Sequence, residues 1–201
     1  MPNTYTIDQL RTVTVATEGP GTSDAVLIQS IAAGNTGAMR IFFARHNVQL
    51  FRFLLRLVRV RSVAEDLVSE VFLDVWRQPG RFQGRSEATT WLLAIARNKA
   101  LSALRHRSRE ELHEQRPAAI ENRQKTEILP KGLTQLSTTH REVIDLVYYH
   151  QKSIEEVAEI IGVPEPTVKT RMFYARRRIA ALMRAHGASV PSLGIYGAVM
   201  A

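Results

Sequence analysis

Cysteine is absent from this 201-residue chain, which excludes disulfides and thiolate metal sites. No apolar run approaches the roughly 20 residues needed to cross a bilayer, and the amino terminus lacks the basic and apolar regions of a secretory signal. We therefore expect a cytoplasmic protein without membrane insertion. The histidines are scattered, and glycine-rich phosphate loops and nucleophile motifs are missing. These absences predict a protein that is not an enzyme and that holds no metal or cofactor.

Acidic residues are outnumbered by basic ones, 19 against 27, so the formal net charge is +8 and the sequence pI is about 10.3. Excess positive charge raises the local concentration of polyanions such as nucleic acids and speeds association with them. Charge alone does not identify the polyanion. Hydrophobic residues make up 45% of the chain, which is enough for packed cores, and the length fits one or two domains.

Apolar residues recur with helical spacing over nearly the whole chain, and this predicts an all-α protein with two small helical domains. We expect Ser23, Ser62 (with Glu65) and Ser86 to cap successive helices of the first domain. Pro130 is expected to start or kink the first helix of the second domain. The predicted boundaries are a flexible arm at 1–22, the first domain at 23–108, a flexible linker at 109–125, the second domain at 126–186 and an apolar tail at 187–201.

Residues 153–178 have the pattern of a helix-turn-helix. Ser153 and Glu156 have the spacing of a capping box, Gly162 ends the first helix, and Pro164 and Pro166 fit only at the start of the next one. One face of the second helix is apolar, and the rest offers donors suited to base edges and phosphates. The donors are Thr167, Lys169, Thr170, Arg171 and Tyr174. An ordinary helical hairpin with a solvated basic face is the alternative.

Two further surfaces of the first domain have a marked charge pattern. Acids Glu65, Asp66, Glu70 and Asp74 share one helix whose opposite side is apolar. They form either a docking face for a basic or mixed-charge helix of another protein or a solvated face. The next helix becomes basic in its second half and lacks acids there, which is typical of a stripe that tracks phosphates. The stripe has five arginines and lysines, together with Asn98 and His106: Arg97, Asn98, Lys99, Arg105, His106, Arg107 and Arg109.

The loop before this basic helix carries an aromatic ring and several hydrogen-bonding groups, at Phe82, Gln83, Arg85 and Ser86. Such a mixture can stack on an unstacked base and hydrogen-bond to it. Phe82 and Trp91 are equally compatible with a place in the core, and for Trp91 we favour the core.

Four segments together resemble the extracytoplasmic-function (ECF) sigma factors, the small specificity subunits of bacterial RNA polymerase. The resemblance covers about residues 24–186. It lies in AEDLVSEVFLDVW at 64–76, TWLLAIARN at 90–98, LS at 136–137 with REVI at 141–144, and EEVAEIIG at 155–162 followed by TVKTR at 167–171. Each segment alone is weakly specific, and their combination in this order is strongly specific.

The resemblance implies a σ2-like first domain and a σ4-like second domain, which recognise the −10 and −35 promoter elements. It implies that the linker threads toward the RNA exit channel and that an anti-sigma protein controls a stress response. Docking on the β′ clamp helices is implied for Glu65, Asp66, Ser69, Glu70, Leu73, Asp74 and Trp76, with the β flap as a second polymerase contact. Contact with the −10 element is implied for Phe82, Gln83, Gly84, Arg85, Ser86, Asn98, Lys99, Arg105 and Arg107. Contact with the −35 element is implied for Thr167, Lys169, Thr170, Arg171 and Tyr174, with Arg176, Arg177 and Arg178 nearer the phosphates.

Two other classes remain open from the residues. A helix-turn-helix regulator with a sensing or dimerising first domain predicts binding to a palindrome without polymerase, with half-sites about 34 Å apart. A recombinase or nuclease with a helix-turn-helix targeting domain requires a nucleophile or metal-binding carboxylates in the first domain, whereas the acids there form a docking-like surface.

Overall fold

A computed structural model describes residues 21–113 and 136–185 of the chain, and the predicted all-α class is confirmed. A 3₁₀ turn follows the third helix, and a π-helical turn at Asp145–Tyr149 follows the fifth. None of the described helices is long and apolar enough to cross a membrane. The helices are α1 (Asp24–Ala32), α2 (Thr36–Val58), α3 (Arg61–Arg77), α4 (Ala88–His113), α5 (Thr138–Ile144), α6 (Ile154–Ile161) and α7 (Glu165–Ala185).

The first domain is built around α2, which packs against α1, α3 and α4. The side chains of Phe42, Phe53 and Leu54 on α2 are fully buried, and α3 adds Val71 and Val75 to the same core. Burying each of these side chains contributes roughly 1.5–3 kcal/mol relative to leaving it exposed. The core therefore holds α3 and α4 side by side.

The predicted helix starts in this domain are partly correct. Ser23 caps α1, where its side chain accepts a hydrogen bond from the backbone of Val26. The prediction for Ser62 is wrong, because α3 begins at Arg61 without a side-chain cap. The cause is the left-handed backbone of Arg59 (φ 59°), which ends α2 and turns the chain at once into α3. Glu65 instead pairs with Arg61 at 2.8 Å, one helical turn away.

Ser86 was predicted to cap a helix that would then begin at Glu87, but the helix begins one residue later, at Ala88. The side chain of Ser86 does not remain at this helix end: its Oγ donates to Oε1 of Glu159 in the second domain at 2.8 Å. A contact between domains has therefore taken the place of the predicted cap. At its other end α4 continues to His113, into the stretch where we placed the linker.

The helix-turn-helix is confirmed in the second domain. The Ser153–Glu156 capping box is formed in both directions, at 3.1 and 2.9 Å. Gly162 ends α6 in the left-handed conformation (φ 68°), and α7 begins at Glu165. Ser137 caps α5 by accepting from the backbone of His140. The expectations for Pro130, the amino-terminal arm and the carboxy-terminal tail fall on residues outside the described ranges, except for positions 21 and 22.

Replacing Gly162 with alanine is expected to lower the free energy of unfolding by about 1 kcal/mol, because a Cβ disfavours the left-handed backbone. Urea unfolding measures this loss. Gly80→Ala is the matched control, since a Cβ meets nothing within 4 Å at either position but only Gly162 has a positive φ. Equal losses in the two variants would show that backbone conformation is not the cause.

Candidate nucleic-acid interface

The predicted docking residues lie together on the outer face of α3. Leu67, Val71 and Val75 point into the core from the inner face, and this orients the acids and two apolar side chains outward. The apolar pair is Leu73, 42% exposed, and Trp76, 36% exposed. Large apolar side chains with such exposure, flanked by carboxylates, form a surface suited to a partner helix that carries both apolar and basic groups.

Lys99 connects this docking face to α4. Its Nζ lies 2.9 Å from Oδ2 of Asp74 and 3.2 Å from Oε2 of Glu70. Burial lowers the pKa of Lys99, but hydrogen bonds to Asp74 and Glu70 outweigh that effect and raise it above its ordinary value. Lys99 was predicted to contact DNA. In the free chain it also pairs with two residues of the docking face, so the two predicted surfaces meet at this side chain.

Five of the nine residues predicted to contact the −10 element line two separate clefts, and the other four, Gln83, Arg85, Arg105 and Arg107, line neither. The first, which we name the α3–α4 cleft, has a volume of about 510 Å³ and is lined by Asn98, Lys99, Ser102, His106 and neighbouring residues of α3. The second, which we name the loop cleft, has a volume of about 390 Å³. Its lining residues are Asp24, Ala25, Phe82, Gly84, Ser86, Glu87, Ala88 and Thr89.

Phe82 serves both the core and the loop cleft. Its ring is half-buried and tilts against Trp91, with 5.4 Å between ring centroids. Trp91 is itself half-buried against the core, as we favoured. Gln83 and Arg85 are exposed, and Gly84 turns the loop with φ 67°. The loop therefore presents the edge of the Phe82 ring, which packs on Trp91, beside the exposed polar side chains of Gln83 and Arg85.

The recognition helix α7 is anchored by Val168, Met172 and Ala175, which are buried. The predicted −35 residues lie off this stripe. Thr170 donates to the backbone oxygen of Pro166 at 2.9 Å, and Lys169 pairs with Glu165 at 3.5 Å. The most accessible members of the set are Thr170, Tyr174, Arg177 and Arg178, while Thr167, Lys169, Arg171 and Arg176 are partly exposed.

Arg176 is oriented by its own domain. Its Nε donates to the hydroxyl of Tyr148 at 3.1 Å, and its guanidinium lies 5.9 Å from the centre of that ring. In the basic half of α4, Arg105 donates to the backbone oxygen of Leu101, and Arg107 is exposed. The basic residues of both helices thus border the surfaces predicted to face DNA.

A polar network that sequence reasoning missed joins the two domains at α4 and α6. Lys152 Nζ lies 2.7 Å from oxygens of Glu87, Thr89 and Glu156. Thr90, fully buried, donates to the same oxygen of Glu156 at 2.6 Å. Burial raises the pKa of Glu156, but hydrogen bonds from Lys152, Thr90 and the backbone of Ser153 outweigh it and lower the pKa to about 2. Glu156 is therefore ionised at neutral pH.

The contact of Glu156 with the first domain was not predicted, because a second role of this residue already explains its position in the sequence. The capping box already accounts for a glutamate three residues after Ser153. One of its oxygens does accept from the Ser153 backbone, and the other faces the first domain. The only signal in the sequence was the i,i+4 spacing of Lys152 and Glu156, which is common on helix surfaces.

The comparisons with known proteins bear on both domains. Residues 42–110 match the family described as Sigma-70 region 2, and residues 132–181 match Sigma-70, region 4. The ECF RNA polymerase sigma factor SigL of Mycobacterium tuberculosis is 30% identical in an alignment of length 163 that covers 76% of this chain and 92% of that protein. The chain belongs to the ECF sigma factors. The RNA polymerase sigma factor CarQ of Myxococcus xanthus is 31% identical, over 75% of this chain and 91% of that protein.

Two solved structures resemble this ECF sigma factor. The sigma factor RpoE in complex with the anti-sigma factor NepR, from Bartonella quintana, has a TM-score of 0.60 and 28% identity and covers 71% of this chain and 94% of its own. CnrH in complex with the cytosolic domain of CnrY has a TM-score of 0.63 and 27% identity, with 82% and 99% covered. The chain is thus an RNA polymerase sigma factor of a non-enzymatic family. Both clefts contain region 2 residues, and α7 lies almost wholly in region 4.

Proposed function

We propose that this ECF sigma factor docks on the β′ clamp helices of core polymerase through the outer face of α3. In this proposal it contacts the −10 element through the two clefts and the −35 element through α7, while the second domain also meets the β flap. The observation that supports the proposal best is the exposed pair Leu73 and Trp76 among the acids of α3.

The proposed mechanism is differential binding. Unpairing and extruding a base costs a few kcal/mol, and only a higher affinity for open DNA than for duplex shifts the equilibrium toward melting. The loop cleft offers an aromatic edge and hydrogen-bonding groups to an extruded base, and the α3–α4 cleft offers the amide of Asn98. The sigma factor contributes no catalytic group in this scheme, because polymerase supplies the chemistry.

Control by an anti-sigma protein and a cytoplasmic location complete the proposal. Support comes from the similar structures, since RpoE was solved with the anti-sigma factor NepR and CnrH with the cytosolic domain of CnrY. A stress-dependent release of the sigma factor fits such control.

Reconstitution with core polymerase tests the proposal. We expect transcription of genomic DNA in vitro, followed by mapping of RNA 5′ ends, to yield a set of starts that share −10 and −35 sequences and that vanish without the sigma factor. Duplex binding by the free chain is expected to be weak. Unaided, tight binding to a palindrome without association with core polymerase would instead favour a stand-alone helix-turn-helix regulator.

Asn98→Ala is expected to impair promoter opening by about tenfold while leaving the closed complex intact, because a lost hydrogen bond to an extruded base is worth about 1.4 kcal/mol. Permanganate footprinting on a mapped promoter measures the opening. Ser102→Ala, which changes another lining residue of the α3–α4 cleft, serves as the control and is expected to melt DNA normally. Equal melting by wild type and Asn98→Ala would contradict the assigned role.

A further inference from the structure

The π-helical turn at Asp145–Tyr149 ends in two tyrosines, and each of them contacts an arginine. The ring of Tyr149 lies 4.9 Å from the guanidinium of Arg56. The hydroxyl of Tyr148 accepts a hydrogen bond from Arg176 of α7. We propose that Tyr148 is a positioning residue for Arg176 and that these two side chains together bind one backbone phosphate of the −35 DNA, as a phosphate clamp. The proposal rests on the function proposed above, since it requires α7 to lie against the −35 element.

The π turn brings Tyr148 to the surface beside α7. Ile144 and Val147, which precede it, are buried. In a regular α-helix Tyr148 would follow Ile144 by one turn and would share its buried face. The π turn closes a wider ring, since the backbone N–H of His150 donates to the oxygen of Asp145 at 3.2 Å, five residues back. The register of the helix therefore shifts, and Tyr148 is 36% exposed.

Arg176 is oriented through its Nε alone. This nitrogen donates to the Tyr148 hydroxyl at 3.1 Å, whereas the guanidinium carbon lies 5.9 Å from the centre of the ring. That distance is near the limit of about 6 Å for cation–π attraction, so the hydrogen bond is the main contact. Nη1 and Nη2 form no hydrogen bond or ion pair within the described parts of the chain. The two terminal nitrogens therefore remain available to bind an anion through parallel hydrogen bonds.

The Tyr148 hydroxyl supplies a further donor at the same place. A phenol oxygen that accepts from an arginine still has its own proton to donate, and among the described residues this hydroxyl forms no hydrogen bond other than the one to Arg176. The clamp thus combines one neutral O–H donor with the charged N–H donors of the guanidinium. A phosphodiester group, with its single negative charge shared by two unesterified oxygens, can accept from both side chains at once.

The place of Arg176 on α7 favours a phosphate over a base edge. At roughly 100° per residue, Arg176 lies about 80° round the helix from the buried Val168, and Thr170 lies about 200° round. In a recognition helix seated in the major groove, the side opposite the buried stripe faces the base edges, and the flanks face the two backbones. Lys169 lies about two turns before Arg176 on the same flank, so both cations border one DNA strand.

Orientation in the free chain matters because arginine is a flexible side chain. A long side chain that becomes ordered on binding loses rotamer entropy, and an orienting contact made beforehand reduces that cost. Arg177 and Arg178 are exposed and have no hydrogen bond or ion pair within the part of the chain that the structure describes. They meet DNA without an orienting contact, whereas Arg176 meets it already directed. We therefore expect Arg176 to contribute more to −35 affinity than either neighbour.

Tyr148→Phe in the full chain, reconstituted with core polymerase, tests the clamp. The variant keeps the ring and loses only the hydroxyl. We expect its affinity for a duplex carrying a mapped promoter to fall about fivefold, which corresponds to one net hydrogen bond, with an unchanged salt slope because no charge is removed. Tyr149→Phe is the matched control, since it deletes the same atom from the adjacent tyrosine, which is 47% exposed. The control is expected to stay within about twofold of wild type.

Methylphosphonate substitutions in the −35 duplex identify the ligand, because each replaces one charged phosphate with a neutral group. At the phosphate that the clamp binds, we expect the wild-type holoenzyme to lose about tenfold in affinity. Arg176→Ala is expected to be insensitive at that phosphate, and Tyr148→Phe to show a smaller loss than wild type. Combining Tyr148→Phe with Arg176→Ala is expected to cost less than the product of the single losses, since side chains that act as a unit are non-additive.

Promoter binding by Tyr148→Phe that equals wild type would overturn the clamp, as would a methylphosphonate profile identical to that of wild type. If Tyr148→Phe instead loses association with core polymerase and keeps its DNA affinity, the pair contacts polymerase and the clamp is refuted. Transcription by the wild type separates this proposal from the proposed function. Promoter-specific starts with a normal Tyr148→Phe variant would refute the clamp alone, whereas the absence of such starts in the wild type would refute the sigma function and the clamp with it.

Discussion

Replacing both Leu73 and Trp76 with alanine is expected to weaken association with core polymerase by about 100-fold. Exposed aromatic anchors at the centre of an interface typically cost 2 kcal/mol or more when truncated, and each 1.4 kcal/mol is tenfold in affinity. The two side chains lie one turn apart on α3, and both are exposed in the free chain. Their loss removes apolar contact without disturbing the core, which is formed by the opposite face of the helix.

Competition against a labelled sigma subunit for core polymerase measures this loss. Val26→Ala with Val48→Ala is the matched control, because those side chains are exposed apolar groups, 44% and 52% exposed, that lie outside α3. The control is expected to bind core polymerase normally. Normal binding by the Leu73 and Trp76 variant, with its thermal unfolding unchanged, would remove α3 as the docking surface.

The acids around this pair are expected to act differently. Glu65 forms an ion pair with Arg61, and Glu70 and Asp74 form ion pairs with Lys99. All three carboxylates are nevertheless at least partly exposed. Charges at an interface rim chiefly change the association rate and its dependence on salt. A basic partner helix that attracts Glu70 and Asp74 also draws them from Lys99, which lines the α3–α4 cleft beside Asn98. In the proposed function, docking on polymerase and access to that cleft would therefore use the same side chains, Glu70, Asp74 and Lys99.

Short-range signals in the sequence predicted the helices and the helix-turn-helix well. The Ser153–Glu156 capping box, the apolar spacing and the helix end at Gly162 each depend on residues within a few positions of one another. The prediction for Ser62 was wrong because the start of α3 is set by the end of α2, at Arg59, rather than by the best local cap. An N-cap side chain stabilises a helix by about 1 kcal/mol, which is less than the free energy gained by packing two long helices against each other.

The contact between the domains could not be predicted because its partners are far apart along the chain. Arg97 and Glu142 are separated by 45 residues, and Ser86 and Glu159 by 73. Periodicity reports which face of a helix is polar, and it does not report which other polar face that surface meets. The ion pairs of Lys99 with Glu70 and Asp74 were missed for the same reason: its place in a basic stripe was visible in the sequence, whereas these pairs required the tertiary fold.

Arg171→Ala is expected to reduce discrimination at the −35 element by about 10- to 100-fold, since a bidentate contact between an arginine and a guanine is worth about 1–3 kcal/mol. Arg171 follows the exposed Thr170 on α7, beside the anchoring Met172, and is partly exposed. Its side chain therefore starts from a rigid part of the helix. Transcription from a mapped promoter, compared with single-base variants of the −35 element, measures the discrimination.

Two further variants separate base reading from charge. Arg171→Lys retains the charge but loses the planar fork of donors, so it is expected to lose discrimination nearly as fully as Arg171→Ala. Arg177→Ala, at an exposed position of the same helix, is expected to weaken binding to all sequences alike and to reduce the salt slope by about one. If Arg171→Ala instead weakens binding to all −35 sequences alike, Arg171 contacts a phosphate. The bases would then be read by Thr167, Thr170 or Tyr174.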